Sequence, residues 1–243
     1  INIIKKISQG TRFHFRKNLV NKIISEKNIN YLGNVHNIIS SDIYNYGCPL
    51  SHKLKNNKFV NIEYPDELYF SYFIYEFLKI YDYTEICFIG DGSGLLAPLV
   101  VYANKKLLNK SKSKYRIVDF AHFAIATFLR INSKDNDILI TLPEEIHKFE
   151  KGKACEGSLP KINGKRLIIN QDSFPEMSST SLITYLNNQS EETHILSYNQ
   201  RAGYNKKHSD HIKIINNLNY VLFKEENSKL RSDYFLSFFK FNN

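Results

Sequence analysis

The spacing of apolar and polar positions changes along this chain, and each change marks an element. Leu19, Val20, Ile23 and Ile24 lie at helical spacing within a basic segment that runs to about residue 40. Pro65, Asp66 and Glu67 open a second helix, because proline suits the first helical position and acids suit the first turn. Tyr69, Phe70, Phe73, Phe77 and Leu78 follow on one side of it, a stripe that reads as core, and the helix ends near Tyr81. Ile86 to Ile89 is a short unbroken apolar run, as a strand buried on both faces would be. Three glycines at alternate positions come next. Leu95, Leu96, Leu99, Val100, Ala103 and Leu107 then recur at helical spacing, and that helix ends near Asn109.

Beyond this unit the pattern alternates. Tyr115–Phe120 reads as a second strand and Ala121–Arg130 as a helix. Asp137–Leu142 is a third strand, stopped by Pro143. Residues 150–165 are polar, with three glycines and a proline, and read as a loop. Arg166–Asn170 is a fourth strand, followed by a helix from about Ser178 to Asn187, and His194–Tyr198 is a fifth. Residues 209–218 read as helix, and Tyr220–Phe223 and Phe235–Phe241 as the last two strands, joined by a loop from Glu225 to Asp233. Strands alternating with helices imply an α/β fold with a doubly wound, mostly parallel sheet of seven strands. At 243 residues the simplest division is a partly helical N-terminal extension, 1–64, and one large domain, 65–243.

Composition adds little but excludes some classes. The formal net charge is +9, which suits anionic partners, although most of the basic residues are scattered. Cys48, Cys87 and Cys155 make an odd count without a C-x-x-C, against a disulfide framework or a structural zinc site, and point to a reducing, cytoplasmic compartment. No His, Asp or Glu spacing reads as a metal site. No apolar run approaches the length of a membrane span. The N-terminal segment has three candidate roles: docking on the domain, an oligomer contact, or peripheral contact with a membrane surface.

In an open α/β sheet ligands sit outside the carboxyl ends of the strands. That edge gathers Gly90, Asp91, Gly92, Ser93 and Gly94, then Asp119, then Asn170–Glu176, then Asn199–Arg201. The strand–glycine loop–helix order sets backbone N–H groups and a helix N-terminus toward a bound cofactor, and glycine admits close approach. The spacing is G-x-G-x-G rather than the dinucleotide G-x-G-x-x-G, which disfavours a nicotinamide oxidoreductase. Asp119, 29 residues after Gly90, either accepts both ribose hydroxyls of an adenosine or caps the helix that follows. Glu144, after the third strand, approaches an adenine amino group or caps a surface helix.

The glycine motif resembles the first motif of class I S-adenosylmethionine-dependent methyltransferases. With Ile117-Val118-Asp119-Phe120 and above all Asn170-Gln171-Asp172-Ser173-Phe174-Pro175-Glu176-Met177, the chain resembles the sugar O-methyltransferases of bacterial polysaccharide gene clusters. Tyr46-Gly47-Cys48-Pro49 and Ser197-Tyr198-Asn199-Gln200 are similar to further blocks of that family, and the resemblance spans about residues 45–240. It implies a Rossmann-like fold and S-adenosylmethionine held by Gly90, Asp91, Gly92, Ser93, Gly94, Asp119 and Asn170. It implies a sugar or glycan acceptor, an acidic one among the candidates, with no nucleic acid as partner. A general base activates the acceptor hydroxyl. Asp172, directly off the fourth strand, is the first candidate, or a simple turn residue. Glu176 orients the sugar, acts as base itself, or stabilises the next helix. His208 and His211 rank lower. Such enzymes carry an acidic residue two positions before the first glycine, where this chain has Phe88; Glu85, at an odd offset, lies on the other strand face. The alternatives are a nucleic-acid or small-molecule methyltransferase and a catalytically degenerate binding module.

Overall fold

The computed structural model describes residues 15–26, 31–35, 51–53, 59–61, 64–91, 94–131, 137–143, 148–150, 153–155, 159–187, 189–200 and 210–242. They fall into two compact units, Ile1–Tyr81 with Ser93–Ser111 and Ala126–Asn132, and Asp82–Gly92 with Lys112–Ile125 and Ser133–Asn243. The Tyr46–Pro49 block, Gly92, Ser93, Glu144, Arg201 and His208 lie outside the described residues.

The described residues of the first unit are mainly helical. Helix α1 covers residues 15–26 and α2 residues 31–35. Strands β1 (Ser51–Lys53) and β2 (Phe59–Asn61) form an antiparallel pair. Helix α3 (Tyr64–Ile80) starts where the proline and acids predict, and buries Tyr69, Phe70 and Leu78 of the aromatic stripe. Its first turn is tied to α1 by Arg16 Nη1 and Asp66 Oδ2, 2.8 Å apart. Tyr31 of α2 shares a 2.6 Å hydrogen bond with Ser71, and burial pushes its phenol pKa up. The α3 C-terminus ends on Lys110, whose Nζ donates to the carbonyls of Leu78 and Tyr81. Helix α4 (Leu96–Tyr102) passes into a π-helical turn, Ala103–Leu107, so the helix read as continuous to Asn109 widens its pitch midway.

The second unit holds a sheet of seven strands: β3 (Glu85–Ile89), β4 (Lys114–Val118), β5 (Ile138–Thr141), β8 (Arg166–Gln171), β9 (Thr193–Gln200), β10 (Tyr220–Asn227) and β11 (Tyr234–Phe241). Their order is β10-β11-β9-β8-β3-β4-β5. The expectation of a mostly parallel sheet is corrected to a mixed one. The β3–β4, β4–β5, β3–β8 and β8–β9 pairings are parallel, whereas β11 runs antiparallel to both β9 and β10. The physical reason is the connection at residues 228–233, which is too short for a crossover and returns the chain as a hairpin. Two boundaries also move. β10 runs on to Asn227, and a small hairpin of β6 (Lys148–Glu150) and β7 (Lys153–Cys155) takes up part of the stretch read as loop.

Parallel register sets Glu85 against Arg166 and Cys87 against Ile168, so one sheet face reads in bands. At the amino end lie Glu85 and Arg166, mid-sheet lie Cys87, Ile168 and Ile195, and at the carboxyl end lies Asn170. The middle band packs with Val118, Leu182, Leu186, Ile215 and Phe239, drawing on α6 (Ser179–Leu186) and α7 (His211–Asn217). Burial pushes the Cys87 thiol up to about 12, as suits an inert filler.

The amino-end band is an ion triad. Glu85 Oε1 accepts from Arg166 Nε at 2.8 Å, and its Oε2 accepts from Arg116 Nη2 at 3.0 Å. Arg116 also donates to Thr141 Oγ1 at 2.7 Å, and Arg166 to Gln189 and the Pro160 carbonyl. Glu85 is 2% exposed and Arg166 1%. Removing one member of such a group strands charge out of water, so Glu85→Ala should destabilise by about 3–5 kcal/mol. Replacing Glu85, Arg116 and Arg166 together by methionine should cost less, measured as urea midpoints at constant slope.

A second prediction concerns acid. His211, 2% exposed at the start of α7, has its pKa lowered to about 4, chiefly by burial. In the unfolded chain a histidine titrates near 6.5, so below that pH the unfolded state takes up the proton first. Stability should therefore fall from about pH 6.5 to 4, by roughly 3 kcal/mol in total. His211→Leu should flatten this part of the stability profile in denaturant titrations.

Candidate functional site

Because β3, β4, β8 and β9 run parallel, their carboxyl ends share one edge of the sheet. The segments leaving that edge carry the residues singled out in the sequence. Gly90 leaves β3 with φ +66°, and its N–H donates to the Val118 carbonyl at 2.9 Å. A Cβ there would lie 2.3 Å from Ser173 Oγ. The close approach that needs glycine is thus made by a protein side chain from the β8 turn. Asp91, next in the chain, is half-buried. Gly94 belongs to the other unit, where it has φ +69° and a Cβ would lie 2.3 Å from Thr127 Oγ1.

Asn170 stands at the centre of this edge, 1% exposed. Its Nδ2 donates to the Ile89 carbonyl at 2.7 Å and to Ser173 Oγ. Its Oδ1 accepts from Asn199 Nδ2 at 2.7 Å and from the Phe174 N–H at 3.2 Å. One amide therefore joins the ends of β3, β8 and β9 to the turn after β8. With two donor and two acceptor contacts to protein, the side chain is committed to holding that edge. Ser173 and Asn199 complete this network. Asn199 was read only as part of the edge; the cue for both is amide and hydroxyl residues at strand ends, where apolar packing stops.

Asp119 follows β4 and is 7% exposed. Its Oδ1 accepts from the Phe120 N–H at 2.8 Å. Helix α5 (Ala121–Ile131) begins two residues later, so Phe120 holds the cap position and Asp119 precedes it. Phe120 is exposed, an aromatic surface next to the carboxylate that sequence reading passed over as the end of a strand. Phe88 is 1% exposed within β3. The level at which the resemblance leads one to expect a carboxylate holds a buried ring, and Glu85 is engaged by two arginines at the other end of the strand.

The turn after β8 carries the two candidate bases. Asp172 adopts φ +65°, a left-handed conformation that aspartate tolerates, and its N–H donates to the Tyr198 carbonyl at 3.2 Å. Strained backbone of this kind clusters at functional sites. Glu176 lies in a separate 3-10 turn, Phe174–Glu176, and is exposed. It is not a first-turn residue of α6, which is capped by Ser178 through Ser181 N–H at 3.0 Å. The β10–β11 turn reaches the same edge, because β10 runs in the direction of β9 and Tyr234 pairs with Gln200. It brings Arg231 Nη1 to 4.0 Å from Asp172 Oδ2. Sequence reading placed Arg231 in a plain loop. Among the described residues, no group of three or more His, Cys, Asp or Glu side chains is arranged to hold a metal ion. Among the same residues, no helix is long and apolar enough to cross a membrane.

No family model matches the chain, and no curated protein does. Solved structures do. The citrinin polyketide synthase CMeT domain superposes with a TM-score of 0.53 at 10% identity, over 74% of this chain and 53% of that one. The mitomycin 7-O-methyltransferase superposes at 0.45 with 9% identity, over 74% and 57%. A ribosomal protein L11 methylase from Lactobacillus delbrueckii subsp. bulgaricus gives 0.48 at 10% identity, over 74% and 80%. The chain spans little more than half the length of the first two. At such identity the likeness is one of architecture: the chain has a Rossmann-like, seven-stranded α/β fold.

Proposed function

We propose that this protein is an S-adenosylmethionine-dependent methyltransferase whose acceptor is a sugar hydroxyl. One observation carries the reading: the left-handed Gly90 turn, the Asp119 carboxylate and the left-handed Asp172 all leave the carboxyl edge of one sheet, from β3, β4 and β8 in turn. The residues fit the cofactor. Asp119 offers a carboxylate to ribose hydroxyls, and the exposed Phe120 ring beside it offers a flat face to a purine. Gly90 and Asp91 offer the turn after β3 to its amino-acid portion; Gly92, Ser93 and Gly94, read in the sequence as part of the same motif, lie outside the described residues of that unit. Asn170 acts beneath them by fixing where Gly90 and Ser173 stand. When bound, the cofactor supplies an electrophilic methyl group.

The chain's own part is positioning and proton removal. The acceptor oxygen must approach the methyl carbon in line with its departing bond, and holding it there removes most of the entropic barrier. Asp172 takes the hydroxyl proton. It is half-buried, comes directly off β8, and its strained backbone fixes the carboxylate's direction. Glu176, exposed one short turn further on, orients the sugar.

Two outcomes test this. Calorimetric titration should show S-adenosylmethionine and S-adenosylhomocysteine binding, NAD not binding, and Asp119→Ala losing about tenfold or more in affinity, as for a charged hydrogen bond. Loss of all binding in folded wild-type protein would sink the reading. With sugar acceptors and labelled cofactor, Asp172→Asn should slow transfer by about 10²–10⁴-fold. Its S-adenosylhomocysteine affinity should stay unchanged.

A further inference from the structure

The β10–β11 turn is fastened to the site more firmly than a connecting loop requires. Ser228 Oγ shares a 2.8 Å hydrogen bond with the Tyr198 hydroxyl and accepts from the N–H groups of Leu230 and Arg231. Gln200 Nε2 donates to Asp233. Tyr234 N–H closes back on the Arg231 carbonyl at 3.1 Å. Both anchors, Tyr198 and Gln200, lie on β9 at the carboxyl edge. At that edge the Arg231 guanidinium lies 3.5 Å from the centre of the Tyr234 ring and 4.0 Å from the Asp172 carboxylate. Stacking on an aromatic face holds a guanidinium flat and lowers its freedom, and a planar guanidinium matches carboxylates and phosphates.

Resting on the methyltransferase reading above, we infer that Arg231 is the acceptor-recognition residue of this site and that the acceptor is an anionic sugar. Its oxyanion, a carboxylate or a phosphate, lies on the Arg231 fork while the hydroxyl to be methylated lies on Asp172. Those two groups are neighbours across the edge, one on the turn after β10 and one on the turn after β8. A cation between them also shields an acidic sugar from the Asp172 charge. The general charge of the chain, +9, attracts any anion and does not select among sugars. A fixed fork beside the candidate base does.

The test uses the full chain saturated with S-adenosylhomocysteine, at constant ionic strength, with glucuronate, glucose 6-phosphate and glucose as probes. Wild-type protein should bind one or both anionic sugars about tenfold or more tighter than glucose, the size of a charge-assisted contact. Arg231→Gln should abolish that preference and Arg231→Lys keep part of it, both with unchanged thermal midpoint and S-adenosylhomocysteine affinity. Preference for glucuronate alone identifies a carboxylate, and for the phosphate alone a phosphate. Equal binding of all three sugars, including none, or a preference that survives Arg231→Gln, overturns the inference. An intact, Arg231-dependent preference in protein that binds no S-adenosylhomocysteine would leave the anion site standing and reject the methyltransferase reading instead.

Discussion

The buried carboxylate of Glu85 is the fixed point of the sheet. It is shared by guanidiniums from two neighbouring strands, and one of these reaches on to Thr141 of a third. β3, β4 and β8 are thus tied toward their amino ends by one polar knot, which reaches on to the carboxyl end of β5. A group of this kind adds little net stability, since desolvation offsets most of its attraction. Its effect is on alternatives: a slip of β3 by one residue against β8 would carry the carboxylate to the other face and leave Arg166 buried without it. The strand register, and with it the level at which every carboxyl end emerges, follows from that constraint.

At the opposite end of the same face the polar band is neutral. Asn170 does for the carboxyl edge what Glu85 does for the amino edge, with hydrogen bonds in place of charge. An apolar layer separates the two bands. The arrangement leaves formal charge at the carboxyl edge to groups on turns, Asp119, Asp172 and Arg231.

How far the sequence discloses this depends on which forces are local. Strand β3, helix α3 and the start of α6 are written in short-range pattern, and they lie where pattern places them. Glu225, Glu226 and Asn227 read as loop because they are polar. They are strand because β10 is the sheet's edge, where only pairing with Phe235, Leu236 and Ser237 is required of them. The glycines were visible, but what Gly90 makes room for was not, since Ser173 lies far along the chain. Arg231 was invisible for the same reason: its meaning comes from the direction of β10, a property of topology. Glu85, dismissed for its parity in the strand, proves to be a structural keystone whose partners are also distant in sequence.

The contact between Gly90 and Ser173 has one more consequence. Two turns that leave different strands touch at a point where no atom can be added, and both also bond to Asn170 or to the carbonyl it holds. They cannot open independently. A ligand resting on either finds its walls already in place and pays little conformational entropy to order them. The same contact makes the pair a single mechanical part: whatever displaces the loop after β3 is felt at once at the backbone beside Asp172.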